Sequence, residues 1–92
     1  MQPERAQTIA FHALGWLVGN DELLPVFLGS TGGSTEELHE RATDPAFLAS
    51  VLEFITMDDD WVIAFCDSVS LAYDQPLMAR YALPGAEMVH WT

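Results

Sequence analysis

The apolar residues of this chain recur with the period of an α-helix, and this spacing constrains the fold more than any other feature of the sequence. Almost every apolar segment begins at a plausible capping residue and ends at a helix breaker. No segment alternates apolar and polar residues for long enough to predict a sheet. The sequence therefore predicts an all-α, single compact domain of five to six short helices. Because no pair of helices is long enough for an extended coiled-coil seam, we expect an irregular orthogonal array.

The first predicted helix, residues 3–18, has proline in its first turn and Gly19 just past its end. Its main apolar stripe consists of Ala6, Ile9, Ala10, Ala13, Leu14 and Leu17. Phe11, Trp16 and Val18 lie off this stripe, because successive residues are about 100° apart around a helix. A helix that is apolar on more than one side is either central in its domain or partly covered by a partner. We therefore interpret Phe11, Trp16 and Val18 as a candidate partner surface.

The second predicted helix spans residues 21–28, with Asn20 as its N-cap. Pro25 lies just beyond the first turn, where it removes one intrahelical hydrogen bond, so we expect a late start or a bend. The glycine-rich stretch 29–33 is predicted to be a loop.

The third and fourth predicted helices begin at strong capping signals. Ser34 and Glu37 have the spacing of a capping box at the start of residues 35–42, which we expect to form an exposed connector. Asp44 and Pro45 are typical of an N-cap followed by the first helical position. The apolar face of this fourth helix consists of Phe47, Leu48, Val51, Leu52, Phe54 and Ile55, opposite Ala49, Glu53 and Thr56.

Two further helices complete the predicted domain. Three aspartates, residues 58–60, open the fifth helix and complement its dipole. Its predicted inward stripe is Trp61, Val62, Phe65, Cys66 and Val69. The sixth, which begins at about residue 74 or 76 and ends near 83, carries Leu77, Met78, Tyr81 and Ala82. Because Pro84 and Gly85 stop that helix, we predict a domain over residues 1–85 and a tail over 86–92, with Trp91 among its possible anchors.

The charge balance makes several partner classes improbable. Fourteen carboxylates face three arginines, lysine is absent, and the formal net charge is −11. Nucleic-acid affinity comes mainly from cations that neutralise phosphates, so we expect no nucleic-acid binding. The same repulsion opposes docking on an anionic membrane, and no run approaches the roughly 18 to 20 apolar residues of a spanning helix. Basic protein surfaces are the partners that this charge favours.

The sequence contains no motif with the residue types and spacing that catalysis or metal binding requires. His12, His39 and His90 fall on separate segments, and the aspartates 58–60 lack the spacing of a calcium loop. A phosphate-binding P-loop requires a lysine. Cys66 is the single cysteine and lies in an apolar stripe, where burial would raise its pKa and keep it a thiol. We therefore predict no enzyme, no metal and no cofactor. The lone cysteine and the lack of a leader-like apolar run predict a cytoplasmic protein.

The order of these signals resembles the DUF3572 family, an uncharacterised family of small proteins found mainly in alphaproteobacteria. The matching stretches are Ala6 to Leu17, Phe27-Leu28 with Thr31-Gly32, Leu38 with Arg41-Ala42, Asp44 to Leu48 with Val51 to Phe54, and Ala82 to Gly85. The sequence departs from the family pattern at residues 20–22, which lack an Asp-Pro start, and in the tail after Gly85. The resemblance implies a bacterial cytoplasmic protein and supplies no functional residues.

Two functions remain open at this level. The first is a non-enzymatic protein-interaction module that acts through an apolar helix face, either with another protein or by self-association. A chain of this size buries only about 60 to 65 % of its unfolded surface, so surplus apolar surface favours this hypothesis. The alternative is a small-ligand-binding protein or an enzyme with a pocket between helices, which would require a closed cavity lined by convergent polar groups.

Overall fold

The helix boundaries follow the capping signals of the sequence. The computed structural model describes residues 1–83, and this part of the chain contains helices and no strand. The helices are α1 (Pro3–Val18), α2 (Leu23–Thr31), α3 (Thr35–Arg41), α4 (Pro45–Ile55), α5 (Asp59–Val69) and α6 (Gln75–Ala82). Asp44 and Asp58 cap α4 and α5, since each side chain accepts a hydrogen bond from a backbone N–H two residues later. The predicted fold class is confirmed.

Helix α1 is the centre of the domain. It packs most extensively against α6 and α4, and it also contacts α5 and α2. Its buried residues are the six of the predicted stripe, Ala6, Ile9, Ala10, Ala13, Leu14 and Leu17. Three of these six are alanines, which allow neighbouring helix backbones to approach closely. The short helices therefore surround α1 within an envelope of 30 × 29 × 23 Å.

An aromatic cluster joins α2, α4 and α5. The ring of Phe27 meets the rings of Phe47 and Phe54 edge-on, at centroid distances of 5.9 and 5.3 Å. Trp61 stacks on Phe54 at 4.9 Å. The predicted apolar face of α4 is buried in full, but Ala49, which we expected on the opposite face, is buried as well. Helix α4 is therefore covered over a wider arc than its amphipathic pattern predicts.

Helix α2 starts and ends later than predicted. The side chain of Asn20 accepts hydrogen bonds from the N–H groups of Glu22 and Leu23, and regular helix begins at Leu23. Pro25 then lies in the first turn, where a backbone N–H would have no intrahelical partner. At the other end, the prediction of a loop over 29–33 is wrong for its first three residues, which continue the helix to Gly32. That glycine ends it with a φ of 72°.

Two predicted side-chain placements in the described chain are wrong, those of Ser34 and Val69. Ser34 precedes α3 without a side-chain cap hydrogen bond, so the predicted capping box does not form. Val69 is 38 % exposed because it is the last residue of α5, where the chain leaves through Ser70 at a φ of 56°. Helix α6 buries Pro76 and Ala79 and exposes the larger Leu77, Met78 and Tyr81. The close approach of α6 to the alanines of α1 leaves room only for small side chains.

The predicted end of the domain and its tail lie partly outside the described residues. Leu83 is the last described residue, and its side chain is buried. Pro84, Gly85 and the segment 86–92 with Trp91 fall beyond it, so the predicted boundary stays a prediction. Among the helices of residues 1–83, none is long and apolar enough to cross a membrane.

Candidate functional site

A groove between α1 and α3 is an apolar concavity of the described structure. Its volume is about 230 Å³. The lining residues of this α1–α3 groove are Phe11, Leu14, Gly15 and Val18 from α1, and Thr35, Leu38, His39 and Ala42 from α3 and its end. Apolar surface dominates the lining, so the groove is suited to receive apolar side chains.

The helical repeat explains why two of the three candidate partner residues share this groove. Phe11 and Val18 are seven residues apart, close to two full turns, and therefore point to the same flank of α1. Their side chains are 55 % and 44 % exposed. Trp16 is five residues from Phe11, about 140° around the helix. The structure places Phe11 and Val18 in the groove, and it places Trp16 on another side of α1.

Trp16 packs against the core. Its side chain is half-buried, and its ring meets the ring of Phe65 edge-on at a centroid distance of 6.1 Å. An aromatic pair of this geometry contributes about 0.5 to 1.5 kcal/mol beyond its buried area. Trp16 therefore acts first as a packing residue that holds α1 on α5.

Gly15 forms the open floor of the groove between Phe11 and Val18. A Cβ atom built at this position would meet no described atom within 4 Å beyond its immediate surroundings. Glycine inside a helix is less favourable than alanine by about 0.5 to 1 kcal/mol, so no packing requirement of residues 1–83 accounts for its presence. The backbone of α1 is therefore accessible at Gly15.

Helix α3 forms the opposite wall, which the sequence analysis treated only as an exposed connector. Leu38 is 4 % exposed and anchors the helix to the core, while His39 is exposed and Ala42 is half-buried. The guanidinium of Arg41 lies over the ring of Phe47, 5.8 Å from its centroid. The four-residue spacing of Leu38 and Ala42 was the available signal that α3 presents an apolar face.

Carboxylates line two depressions that adjoin the groove. Glu4 lines a second depression that shares Phe11 and Ala42 with the groove and continues it along α1. Asp21 and Glu22 line a third depression that shares Gly15. The groove lining is therefore apolar, and carboxylates lie in the depressions that adjoin it at Phe11 and at Gly15.

Two side chains with raised pKa values, Cys66 of α5 and Tyr73 after it, do not line the α1–α3 groove. Cys66 is fully buried, and burial, followed by the charges of Asp67 and Asp74, raises the pKa of its thiol. Its Sγ donates a weak hydrogen bond to the carbonyl oxygen of Ala72 at 3.6 Å. The Tyr73 hydroxyl donates to an oxygen of Asp67 at 2.8 Å, and this bond and charge raise the Tyr73 pKa. Both groups therefore keep their protons at neutral pH.

The histidines do not come together in the described part of the chain. His12 and His39 are both exposed, on α1 and α3, and His90 lies outside residues 1–83. Within that range, no three His, Cys, Asp or Glu side chains are arranged to hold a metal ion. The geometry of the described residues thus offers a surface for packing, with His39 as the one titratable side chain of the groove lining.

Comparison with known proteins identifies a family. The family described as "Protein of unknown function (DUF3572)" matches residues 3–86. Since this match covers most of the chain, the chain belongs to that family, as the resemblance implies. No curated protein and no solved structure matches the chain.

Proposed function

We propose that this member of the DUF3572 family is a non-enzymatic protein-interaction module that binds its partner in the α1–α3 groove. One observation carries the proposal: two exposed apolar side chains, Phe11 and Val18, flank a helical glycine whose missing side chain leaves the groove floor open. Protein partners bury such patches at the centre of an interface.

The size and lining of the groove favour a protein partner over a small molecule. Small-molecule sites typically enclose about 300 to 1,000 Å³ and combine an apolar wall with several convergent polar groups. The groove encloses about 230 Å³ and has a single titratable lining residue, His39. A space of this size accommodates one or two apolar side chains of a partner. The alternative, a ligand-binding protein or enzyme with an inter-helix pocket, lacks comparable support.

The setting of the proposed function is the bacterial cytoplasm. A single, buried thiol suits a reducing compartment, and the family resemblance implies a bacterial host.

The exposed apolar residues of α6 provide a matched control for the groove. Leu77 and Met78 are 42 % and 44 % exposed, similar to Val18, but they project from a helix surface rather than line the groove. A serine substitution at either pair removes exposed apolar area and leaves the buried core unchanged.

The test compares the double variants Phe11→Ser/Val18→Ser and Leu77→Ser/Met78→Ser with wild type. We expect the groove variant to lose partner capture from a host extract, or self-association in sedimentation velocity, while the α6 variant retains it. Far-ultraviolet circular dichroism verifies that both variants keep the helical content of wild type. Loss in the α6 variant alone would transfer the interaction to α6, and a wild type that neither captures a partner nor self-associates would refute the proposal.

A further inference from the structure

We infer that the occupant of the α1–α3 groove is a basic amphipathic α-helix of a partner protein, with apolar anchors on one face and lysine or arginine on both flanks. This inference rests on the proposed function and specifies the chemistry of the partner. It follows from the shape of the groove and from the distribution of charge around it.

The shape of the groove fits a helix. Phe11 and Val18 are seven residues apart, which corresponds to about 10.5 Å along α1 at 1.5 Å per residue. Apolar anchors spaced by seven residues on a partner helix cover the same distance, and a third anchor three or four residues along lies between them. Between Phe11 and Val18, Gly15 leaves space for a partner backbone or a large anchor side chain to approach α1. The groove therefore matches two turns of a helix laid along α1.

Backbone hydrogen bonding favours a helix over an extended segment. An extended peptide leaves backbone N–H and C=O groups that need partners, which a sheet edge usually supplies. The described residues 1–83 contain no strand, and the backbone groups in the middle of α1 are bonded within that helix. A helical occupant satisfies its own backbone groups and presents only side chains to the apolar wall.

The carboxylates near the groove determine which charge we expect on the flanks of the partner helix. Glu4 and the pair Asp21 and Glu22 line depressions that share Phe11 or Gly15 with the groove. Cationic flanks on the occupant would complement these carboxylates and accelerate association.

The arginines near the groove offset this acidity only in part. Arg41 is held over the ring of Phe47 at 5.8 Å. Arg5 is six residues before Phe11, so it lies about 120° away around α1. A second copy of the chain would add another −11 to the same acidic surface, which opposes self-association as the use of this groove.

The experiment is a selection of displayed helical peptides against the immobilised full chain. Each peptide is about 18 residues long, or five turns, with leucine or phenylalanine fixed at i, i+4 and i+7. The flanking positions vary among lysine, glutamine and glutamate. We expect lysine at the flanks to be enriched about tenfold over glutamate, and the affinity of the selected peptides to fall as salt increases.

Two glycine variants locate the binding site. Gly15→Leu fills the groove floor, whereas Gly29→Leu adds the same bulk at another open helical position, on α2. We expect the selected peptides to lose at least about tenfold in affinity for Gly15→Leu and to keep wild-type affinity for Gly29→Leu. If Gly15→Leu loses helical content, Val18→Lys is used as the binding-site variant instead, because a cation at this exposed position repels a basic helix. Glu4→Gln/Glu22→Gln tests the charge separately and should reduce the lysine enrichment.

The results separate this inference from the proposed function. Groove-dependent selection of neutral or acidic flanks would overturn the basic helix and retain the groove as a docking site. Selected peptides that bind Gly15→Leu as well as wild type would overturn the inference, and so would selection without enrichment. Self-association that Gly15→Leu abolishes would identify a second copy as the occupant. The double-serine comparison described above decides the proposed function independently.

Discussion

The two sides of α1 differ in what covers them. On one side, the stripe from Ala6 to Leu17 is at most 5 % exposed beneath α4, α5 and α6. On the other, Phe11 and Val18 are about half exposed at the edge of the α1–α3 groove. Leu14 lies at the border, buried in the core and lining the groove. Both sides are apolar, so residue type does not distinguish the core of this domain from its candidate docking surface.

In α6, too, residue type does not distinguish the buried side from the exposed side. Its larger apolar residues are exposed, and the small Pro76 and Ala79 are buried against the core. A close approach of two helices selects small side chains at their contact, whatever the hydrophobicity of the rest of the surface. The distance between neighbouring helices, and not the apolar pattern alone, therefore decides which face becomes interior.

The sharpest way to test the difference between the two sides of α1 is to truncate adjacent residues. Leu17 is fully buried, and Leu17→Ala should lower the free energy of unfolding by about 2 to 5 kcal/mol. Val18→Ala, one residue further and 44 % exposed, should change it by less than about 0.5 kcal/mol. Urea titration followed by circular dichroism measures both. Similar losses for the two variants would mean that the groove side belongs to the core.

Trp16 should give an intermediate effect. Its ring packs on Phe65 but remains half-buried, so Trp16→Ala should cost about 1 to 3 kcal/mol, below the roughly 3 to 5 kcal/mol of a fully buried aromatic. Because Trp16 lies on another side of α1, selected peptides should bind this variant with wild-type affinity. A stability unchanged from wild type, together with a loss of binding, would restore Trp16 to the partner surface.

These expectations show where sequence information was sufficient. The bounds of α1, its buried stripe and the caps of α4 and α5 could be predicted, because each depends on residues within one turn or on a single helix's periodicity. The orientation of α6 and the role of α3 as a groove wall could not. They depend on which helices lie side by side, and the apolar pattern of Leu77 or Leu38 carries no information about the neighbour.

The α1–α3 groove illustrates the same limit. Phe11, Trp16 and Val18 were grouped because all three lie off the main stripe of α1. The seven-residue spacing of Phe11 and Val18 could have separated them from Trp16 by rotation alone. Gly15 was visible as a glycine within a helical segment, but its significance requires knowing that open space lies above it.

The smallest expected effect compares two helical glycines. Gly15 and Gly29 both lie within helices, and a methyl group at either position would meet no described atom within 4 Å beyond its immediate surroundings. Alanine should therefore raise the free energy of unfolding by about 0.5 to 1 kcal/mol at each site, through helix propensity and a less flexible unfolded chain. Thermal and urea unfolding of the two single variants measure this gain.

Peptide binding should distinguish Gly15→Ala from Gly29→Ala, although both substitutions are expected to raise the free energy of unfolding by a similar amount. The methyl group of Gly15→Ala occupies the groove floor between Phe11 and Val18, whereas that of Gly29→Ala projects from α2. We expect Gly15→Ala to be more stable than wild type and weaker in binding the selected peptides, and Gly29→Ala to be more stable with unchanged binding. A substitution that raises stability and weakens binding indicates a position where the native residue lowers stability in order to leave space for a partner. If Gly15→Ala gains stability and binds as well as wild type, the floor of the groove is not a contact surface, and docking must depend on Phe11 and Val18 alone.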